Sequence, residues 1–448
     1  MLTDLSIIIL AAGKGTRMQS NLPKVMHKIA GREMLNMVID EAKKLNPHNI
    51  TIVVSNEMMA FYDYIKQSHN DISLNFVLQN QQMGTGHAVN CALESFKNSS
   101  NKLAKKTLIL YGDTPLINHQ TLTKMLDKID QFALCILSFE NFEKNNYGKL
   151  IINDHQILEK IIEHKDANLE QQKISICNSG VIAIESTILQ SSISKIQNNN
   201  ASHEYYLTDL VAIINQSELQ CTHINTHNSE VLGVNSRIEL ANIEKIYQKQ
   251  IRKKMLENGV TLISPKTVFF SYDTKIKNDV IIHPHVIFGK NVEIASGVEI
   301  KSFSHIEGAT IDSNCVIGPF ARIRKETEIA KDCHIGNFVE IKKSKIGAKT
   351  KINHLSYIGD SDVGKSVNIG AGTITCNYDG INKHQTKIGD NVFIGSNTAL
   401  IAPIEIESEA LIGAGSVITK KVNYADLAIA RSQQHNIKNG ATKYKKPK

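Results

Sequence analysis

Val280-Ile281-Ile282-His283-Pro284-His285-Val286-Ile287-Phe288-Gly289-Lys290-Asn291-Val292-Glu293-Ile294 decides how the second half of this chain is read. Large apolar residues stand at Ile282, Phe288 and Ile294, six apart, and Val280, Val286 and Val292 stand two residues before them. The rungs continue at Ile300 and Ile306, at Ile317, Ile323, Ile329, Ile335 and Ile341, at Ile352, Ile358 and Ile369, and from Ile388 through Ile394, Leu400, Ile406 and Ile412 to Ile418. Three steps contract to five residues, at Ile311, Ile346 and Val363. Six is not a helical period. Side chains alternate along a strand, so residues i and i−2 face the same way, and two inward residues per six mean a short strand followed by a corner. Three such strands close a triangular coil of about 18 residues, and coils stacked about 4.8 Å apart satisfy the backbone and bury the rungs in columns. The pattern therefore predicts a parallel β-helix of roughly seven coils, cooperative because no single coil buries its own apolar face.

The remaining chain bounds the rest of the architecture. With 448 residues and 42% hydrophobic content there is material for two cores. The formal charge of +7, part of it in the lysine-rich stretch 443–448, suits small polyanions better than DNA. No basic helix and no base-reading module stands out, so nucleic acid is not an expected partner. Met1-Leu2-Thr3-Asp4 lacks a basic leader and the apolar run Ile7 to Ala12 is too short to span a bilayer, so the expectation is a cytoplasmic protein without membrane insertion. Seven scattered cysteines give neither a disulfide framework nor a zinc pattern.

Up to about residue 237, strand-like runs alternate with helical stretches. Ser6 to Leu10, Ile50 to Val54, Leu74 to Leu78, Thr107 to Leu110 and Ala133 to Phe139 read as strands, and Met34 to Leu45 as an amphipathic helix. That alternation predicts a Rossmann-like α/β domain with a mostly parallel sheet over 1–237. A charged helix from Arg237 to Asn258, stopped by Gly259, is read as a linker over 238–258, and the β-helix with its basic tail takes 259–448.

Directly after the first strand comes Leu10-Ala11-Ala12-Gly13-Lys14-Gly15-Thr16-Arg17-Met18, then Pro23-Lys24. A glycine-rich turn between strand and helix offers backbone N–H groups to phosphates, and cations at Arg17 and Lys24 point to a nucleoside triphosphate. Neither a Walker A loop nor a dinucleotide fingerprint fits this spacing. The motif resembles that of the sugar-phosphate nucleotidyltransferases, and Gln79 to Ala88, with Gly84 and Thr85, resembles the uracil-reading loop of their uridylyltransferase branch. The resemblance implies that Leu10, Ala11, Ala12, Gly13, Lys24, Gln79, Gly84, Thr85, Tyr111, Gly112 and Asp113 bind UTP, with Arg17 and Lys24 catalytic. It also implies that Asp113 and Asn235 hold Mg²⁺, an ion that takes few protein oxygens, and that Gly148, Glu163 and Asn178 bind the sugar.

On the β-helix the irregularities carry the information. Between Ile369 and Ile388 lie 19 residues where 18 would keep register, and Gly370 to Gly380 is polar and glycine-rich, which suggests a loop leaving the coil to bind something. His354 sits beside a rung, and a neutral imidazole is the natural base for an amine attacking a thioester near neutral pH. Gly318 to Arg324, Gly336 to Lys343 and Thr373 to Gly380 resemble the bacterial bifunctional family that pairs N-acetylglucosamine-1-phosphate uridylyltransferase with glucosamine-1-phosphate N-acetyltransferase, over essentially the whole chain. The resemblance implies left-handed coiling of hexapeptide repeats, a homotrimer, and His354 as general base. It assigns Arg324, Lys342, Tyr357 and Asn368 to the sugar phosphate, and Ala371, Asn377, Tyr378, Ser396, Ala414 and Arg431 to acetyl-CoA. The expected small-molecule partners are glucosamine-1-phosphate, acetyl-CoA, UTP and N-acetylglucosamine-1-phosphate, and the product feeds cell-wall precursors. Two other readings compete: a nucleotidyltransferase whose solenoid only assembles or regulates, against which Arg324, Lys342, His354, Asn377 and Tyr378 speak together, and an assembly subunit that has lost both chemistries, which would have no reason to hold Arg17, Lys24 and Asp113.

Overall fold

The computed structural model describes residues 4–97, 102–143 and 145–444, so 445–448 of the lysine-rich tail lie outside it. Two compact units divide within the helix Arg237–Glu257, at Tyr247 and Gln248.

In the N-terminal unit the first strand, Leu5–Ala11, is buried along its whole length. It pairs in parallel with Asn49–Val54 on one side and Lys106–Tyr111 on the other. Leu74–Leu78 continues the parallel run. Consecutive residues of Leu5–Ala11 serve opposite faces: Ile7 and Ile9 enter one apolar core, Ile8 and Leu10 the other. A strand buried on both faces reads as an unbroken aliphatic run rather than an alternation, which is why Ser6 to Leu10 was legible as a strand. The helix Met34–Lys43 packs on the first of these cores through Leu35, Val38, Ile39 and Ala42.

The sheet is mixed. Ile176–Glu185 runs antiparallel between Lys106–Tyr111 and Leu134–Glu140, and the hairpin Lys149–Ile152 and Leu158–Ile162 attaches to its start. These three strands and Cys221–Thr226 carry weak sequence patterns and were not anticipated. They supply the floor on which the sugar-binding candidates stand.

In the C-terminal unit all the ladders are parallel, and three sheets of ten, eight and eight short strands form the faces of a triangular solenoid. The ten-stranded face runs from Thr261–Leu262 through Ile281–Ile282 to Leu427–Ala428; we call it the first face. The second runs from Ile287–Phe288 to Val417–Ile418, and the third from Lys275–Ile276 to Ile404–Ile406. Coils are therefore about one more than the six-residue ladder suggested, because Leu262, Phe270, Ile276 and Ala428 extend it at both ends. The three five-residue steps all fall at one corner, between the second and third faces, where Ile306, Ile341 and Ile358 hand over to Ile311, Ile346 and Val363.

The same corner holds the long interruption, and here the expected register needs correction. Thr375 is a rung, fully buried, stacked between Ile358 and Leu400. The stretch from Ile369 is thus one ordinary six-residue step to Thr375 and then thirteen residues to Ile388, seven more than a step, rather than a full coil plus one residue. A threonine hid the rung because its hydroxyl has local work: it accepts from the Gly359 N–H at 2.8 Å and lies 3.2 Å from the Gly359 carbonyl.

Thr375→Val makes the ladder look more regular in sequence, yet it orphans the buried Gly359 N–H, so we expect destabilisation of about 1–3 kcal/mol. Thermal unfolding compared with wild type checks this; an unchanged or raised midpoint would contradict the assigned role of the hydroxyl.

Candidate active sites

The carboxyl ends of Leu5–Ala11 and Lys106–Tyr111 lie side by side, Leu10 paired with Tyr111, and a cleft of about 420 Å³ opens over them. Leu10, Ala11, Ala12, Gly13, Lys24, Gln79, Gly84, Thr85, Tyr111 and Asp113 line it, which gathers most of the predicted nucleotide-binding residues. Lys14 and Gln82 line it too, and sequence reasoning gave neither a role although both lie inside the quoted motifs. Gln82 donates to the Ala12 carbonyl, tying the second loop to the first. Gln79 is 5% exposed and holds both the Gly84 carbonyl at 3.2 Å and His87 Nδ1 at 3.0 Å. At Gly84 φ is +108° and an added Cβ would lie 2.6 Å from the Tyr205 carbonyl, so the loop needs glycine there for two reasons.

Lys24 reaches across the cleft floor. Its ammonium pairs with the Asp113 carboxylate and donates to Asn235 Oδ1 at 2.9 Å. Two oxygens far apart in sequence, one just after the strand Lys106–Tyr111 and one just before the helix Arg237–Glu257, thus converge on one cation. The Asn235 backbone is fixed by a 2.6 Å bond to Glu239 near the start of the following helix. Arg17 differs from expectation: it is exposed on the short helix Thr16–Met18 and does not line the cleft. The left-handed turns at Gly15 and Gln19 that bracket this helix turn the loop outward after Gly13.

Gly148, Glu163 and Asn178 do come together, behind Tyr111. The Asn178 N–H donates to the Gly148 carbonyl at 2.8 Å, and a Cβ on Gly148 would lie 3.3 Å from the Glu163 carboxylate. Gly180, at φ +91°, packs directly under the Tyr111 ring. Burial raises the Glu163 carboxyl above its ordinary value, with Asp209 and Asp166 adding to the effect while Thr208 donates to it at 3.0 Å. A carboxylate so placed gains by accepting hydroxyl protons from a neutral sugar. Burial, and next the Glu163 charge, likewise pushes the Tyr111 phenol up, so it stays a neutral donor. Glu163 also borders a separate cavity of about 380 Å³ with Asp166, Tyr206 and Asp209.

On the solenoid, the stacked register sorts the predicted residues by corner. At the corner between the first and second faces, parallel pairing superposes Asn337, His354, Ala371, Ser396 and Ala414 in successive coils. Arg431 bends back to donate to the Ala414 carbonyl, closing the top of this column. The next corner position is left-handed from His285 to Gly415 and changes character at the histidine: His285, Phe303, Phe320 and Phe338 below, Leu355 beside it, and Gly372, Asn397 and Gly415 above. The three phenylalanine rings stack 4.9 and 5.1 Å apart and stay about half exposed. Directly above His354 the column holds only the small residues Ala371, Ser396 and Ala414 for three coils, roughly 14 Å at ~4.8 Å per coil, with Asn397 beside it.

The corner between the second and third faces holds the charged residues. Arg324 pairs with Glu340 at 2.8 Å. Asn377, 6% exposed, bonds the Asp360 carboxylate and lies 3.5 Å from the Tyr357 hydroxyl. Lys383, which the sequence reading passed over, is brought against Lys342 by the excursion 377–385, and a hydrogen bond between the two amino groups, then burial and the Lys383 charge, hold Lys342 below the ordinary lysine value. The excursion is ordered internally: His384 pairs with Asp379 at 2.7 Å, and Tyr378, 59% exposed, donates to the Gly380 carbonyl. Asn368 projects from the first face, half-buried.

Comparison with known proteins agrees with this division. Residues 7–166 match the MobA-like NTP transferase domain, 308–343 the bacterial transferase hexapeptide (six repeats), and 385–420 the hexapeptide repeat of succinyl-transferase. A nucleotidyltransferase is thus joined to a hexapeptide-repeat transferase with a left-handed β-helix. The chain is 46% identical to the bifunctional protein GlmU of Zymomonas mobilis over 99% of its own length and 98% of that protein's. It is 45% identical to that of Paramagnetospirillum magneticum, covering 99% and 97%, and 44% identical to that of Wolbachia pipientis wMel, covering 96% and 97%. The chain belongs to the bifunctional GlmU family. It acetylates glucosamine-1-phosphate from acetyl-CoA and transfers UMP from UTP to the N-acetylglucosamine-1-phosphate so formed, releasing pyrophosphate.

Since the Lys383 amino group, by hydrogen bond and by charge, is what depresses Lys342, Lys383→Met should move the Lys342 ammonium titration to higher pH. NMR of side-chain-labelled lysine reads this directly, and no upward movement would show that the two ammonium groups do not sense each other.

Proposed function

We propose that the two corners of the solenoid divide the acetyl-transfer substrates between them, and that the cleft over the α/β sheet carries uridylyl transfer. Residues 1–237 would form the uridylyltransferase, 238–258 the linker and 259–448 the acetyltransferase. The observation that carries the reading is the column above His354: small residues for roughly 14 Å, then a guanidinium at Arg431. Such a floor suits a slender pantetheine arm, with its thioester at the base and its phosphates at the arginine. Ala371, Ser396 and Ala414 line the arm, while Asn377 and Tyr378 stand on the other corner. Arg324 and Lys342 take the phosphate of glucosamine-1-phosphate, Tyr357 and Asn368 its sugar, and Lys383 joins the cationic pair.

His354 accepts a proton from the glucosamine nitrogen as that nitrogen bonds to the thioester carbonyl carbon, and backbone N–H groups steady the oxyanion. Collapse of the tetrahedral intermediate breaks the C–S bond and releases CoA as the thiol. The thioester is already activated, so relay through Cys376 would gain little, and transfer is direct.

In the cleft, a phosphate oxygen of the acetylated sugar attacks the α-phosphorus of UTP in line, forming one P–O bond as the bond to the β-phosphate breaks. Gln79, Gly84 and Thr85 hold the base, Ala11 to Gly13 offer N–H groups to phosphates, and Gly148, Glu163 and Asn178 hold the sugar. Lys24 offsets charge on the reacting phosphates, and Arg17 reaches them from its loop once the triphosphate is bound. The donor set fits magnesium: one carboxylate and one amide oxygen already share a cation, and this ion completes its shell with water and phosphate. Asp113 and Asn235 would hold it, and when bound it supplies charge neutralisation on the phosphates.

A homotrimer is the assembly we infer. A flat triangular face is too shallow to enclose acetyl-CoA, and a cleft between neighbouring solenoids supplies the concavity. The half-exposed ring column of Phe303, Phe320 and Phe338 supports burial against another copy. UTP and acetyl-CoA as substrates support a cytoplasmic enzyme.

His354→Ala should lower acetyl transfer about 10²- to 10⁴-fold and leave pyrophosphate release from UTP intact; Asp113→Ala should do the reverse. Thiol release and pyrophosphate release, measured on both variants, check the separation, and loss of both activities in a folded variant would count against it.

If neighbouring chains supply the two walls, mixing His354→Ala with Asn377→Ala subunits should restore part of the thiol release, since some clefts then have both walls intact. No recovery despite proven subunit exchange would put both residues in one chain's site.

A further inference from the structure

His354 does not stand alone at its corner. Its Nδ1 lies 2.8 Å from Oδ1 of Asn337, the residue paired with it one coil below. An amide oxygen can only accept, so Nδ1 carries the hydrogen, and in the neutral ring the lone pair belongs to Nε2. Asn337 is itself fixed to this turn, because its carbonyl accepts from the Leu355 N–H at 3.0 Å. Gly336, just before it, lets the two coils meet: a Cβ there would fall 1.9 Å from the Asn353 carbonyl.

We propose that Asn337 is a positioning residue for acetyl transfer, selecting the tautomer in which Nε2 is the base and fixing the ring so that this nitrogen is presented along the column. The inference rests on the reading of His354 as the base. An amide suits the task better than a carboxylate would. A carboxylate at the same place would also fix the tautomer, but it would stabilise the imidazolium and leave less free base near neutral pH. The outward titratable residues around the pair are His334 and Lys351 on the first face, and Glu340 and Tyr357 on the second. His334 is held below its ordinary value by burial and then by the Lys301 and Lys351 charges, so it brings no proton to the corner near neutral pH.

The test uses the full-length enzyme as wild type, Asn337→Ala and Asn337→Asp, with ring-¹⁵N-histidine spectra in which His354→Gln identifies the signal. Wild type should show Nδ1 protonated and Nε2 bare; Asn337→Ala should show a mixture of tautomers. For acetyl transfer, kcat of the alanine variant should fall about tenfold to a hundredfold with KM for both substrates little changed. The aspartate variant should recover most of that loss at high pH, with the acid limb of its pH profile moved upward. Unchanged uridylyl transfer reports an intact chain. An alanine variant with the wild-type tautomer and kcat, or with its loss confined to KM, would overturn the proposal. His354→Ala keeping its activity would instead overturn the assignment of the base.

Discussion

The register of the parallel ladder is the constraint on which the acetyl-transfer half depends. Each coil lays its N–H groups on the carbonyls of the next, so residues at equivalent corner positions stand above one another whatever their identity. A residue's place in the site is then its place in the coil. His354, the column above it and the arginine that closes it come from residues up to 77 apart in sequence, and no loop is needed to gather them. The aliphatic rungs inside make this possible, since Ile335, Ile352, Ile369, Ile394 and Ile412 form an unbroken buried stack that leaves the corners free to vary.

Variation is concentrated at two of the three corners, for different reasons. Between the first and second faces the backbone is left-handed from His285 to Gly415, and the residue there can be bulky or absent without disturbing the strands. Bulk below His354 and its absence above make an oriented groove. Between the second and third faces the corner itself changes length, contracting three times and then expanding by seven residues. The expansion carries Lys383 to Lys342, a position that a regular coil would not reach.

The ladder, the solenoid and the strands around the nucleotide cleft were legible because each follows from one strong period. Leu74 to Leu78 matches to the residue, and Met34 to Leu45 overshoots its helix by two. What stayed hidden is instructive. Thr375 escaped notice as a rung because its hydroxyl serves the Gly359 backbone while its methyl fills the column. The antiparallel strands of the sugar-binding floor were missed because their pairing, with a register shift between Asn178 and Ile182, breaks any clean alternation. Lys383 had no motif of its own, and only the length of the excursion hinted at it. Asn337 sat in a quoted motif, but its partner lies 17 residues away and only the coil pairing links them.

The two phosphate-handling sites keep their cations ready in opposite ways. In the cleft, Lys24 is neutralised within the chain by the Asp113 carboxylate and also donates to the Asn235 amide oxygen, with the ion pair partly buried on both sides. On the solenoid, half-buried Lys342 and exposed Lys383 are neighbours of like sign, with Asp360 and the Arg324–Glu340 pair close by. Exposure lowers the repulsion, since water screens charges that would be intolerable inside. The arrangement nevertheless favours whatever places negative charge between the two ammonium groups. In the cleft, by contrast, an anion that takes up the Lys24 ammonium does so in competition with the Asp113 carboxylate already paired to it.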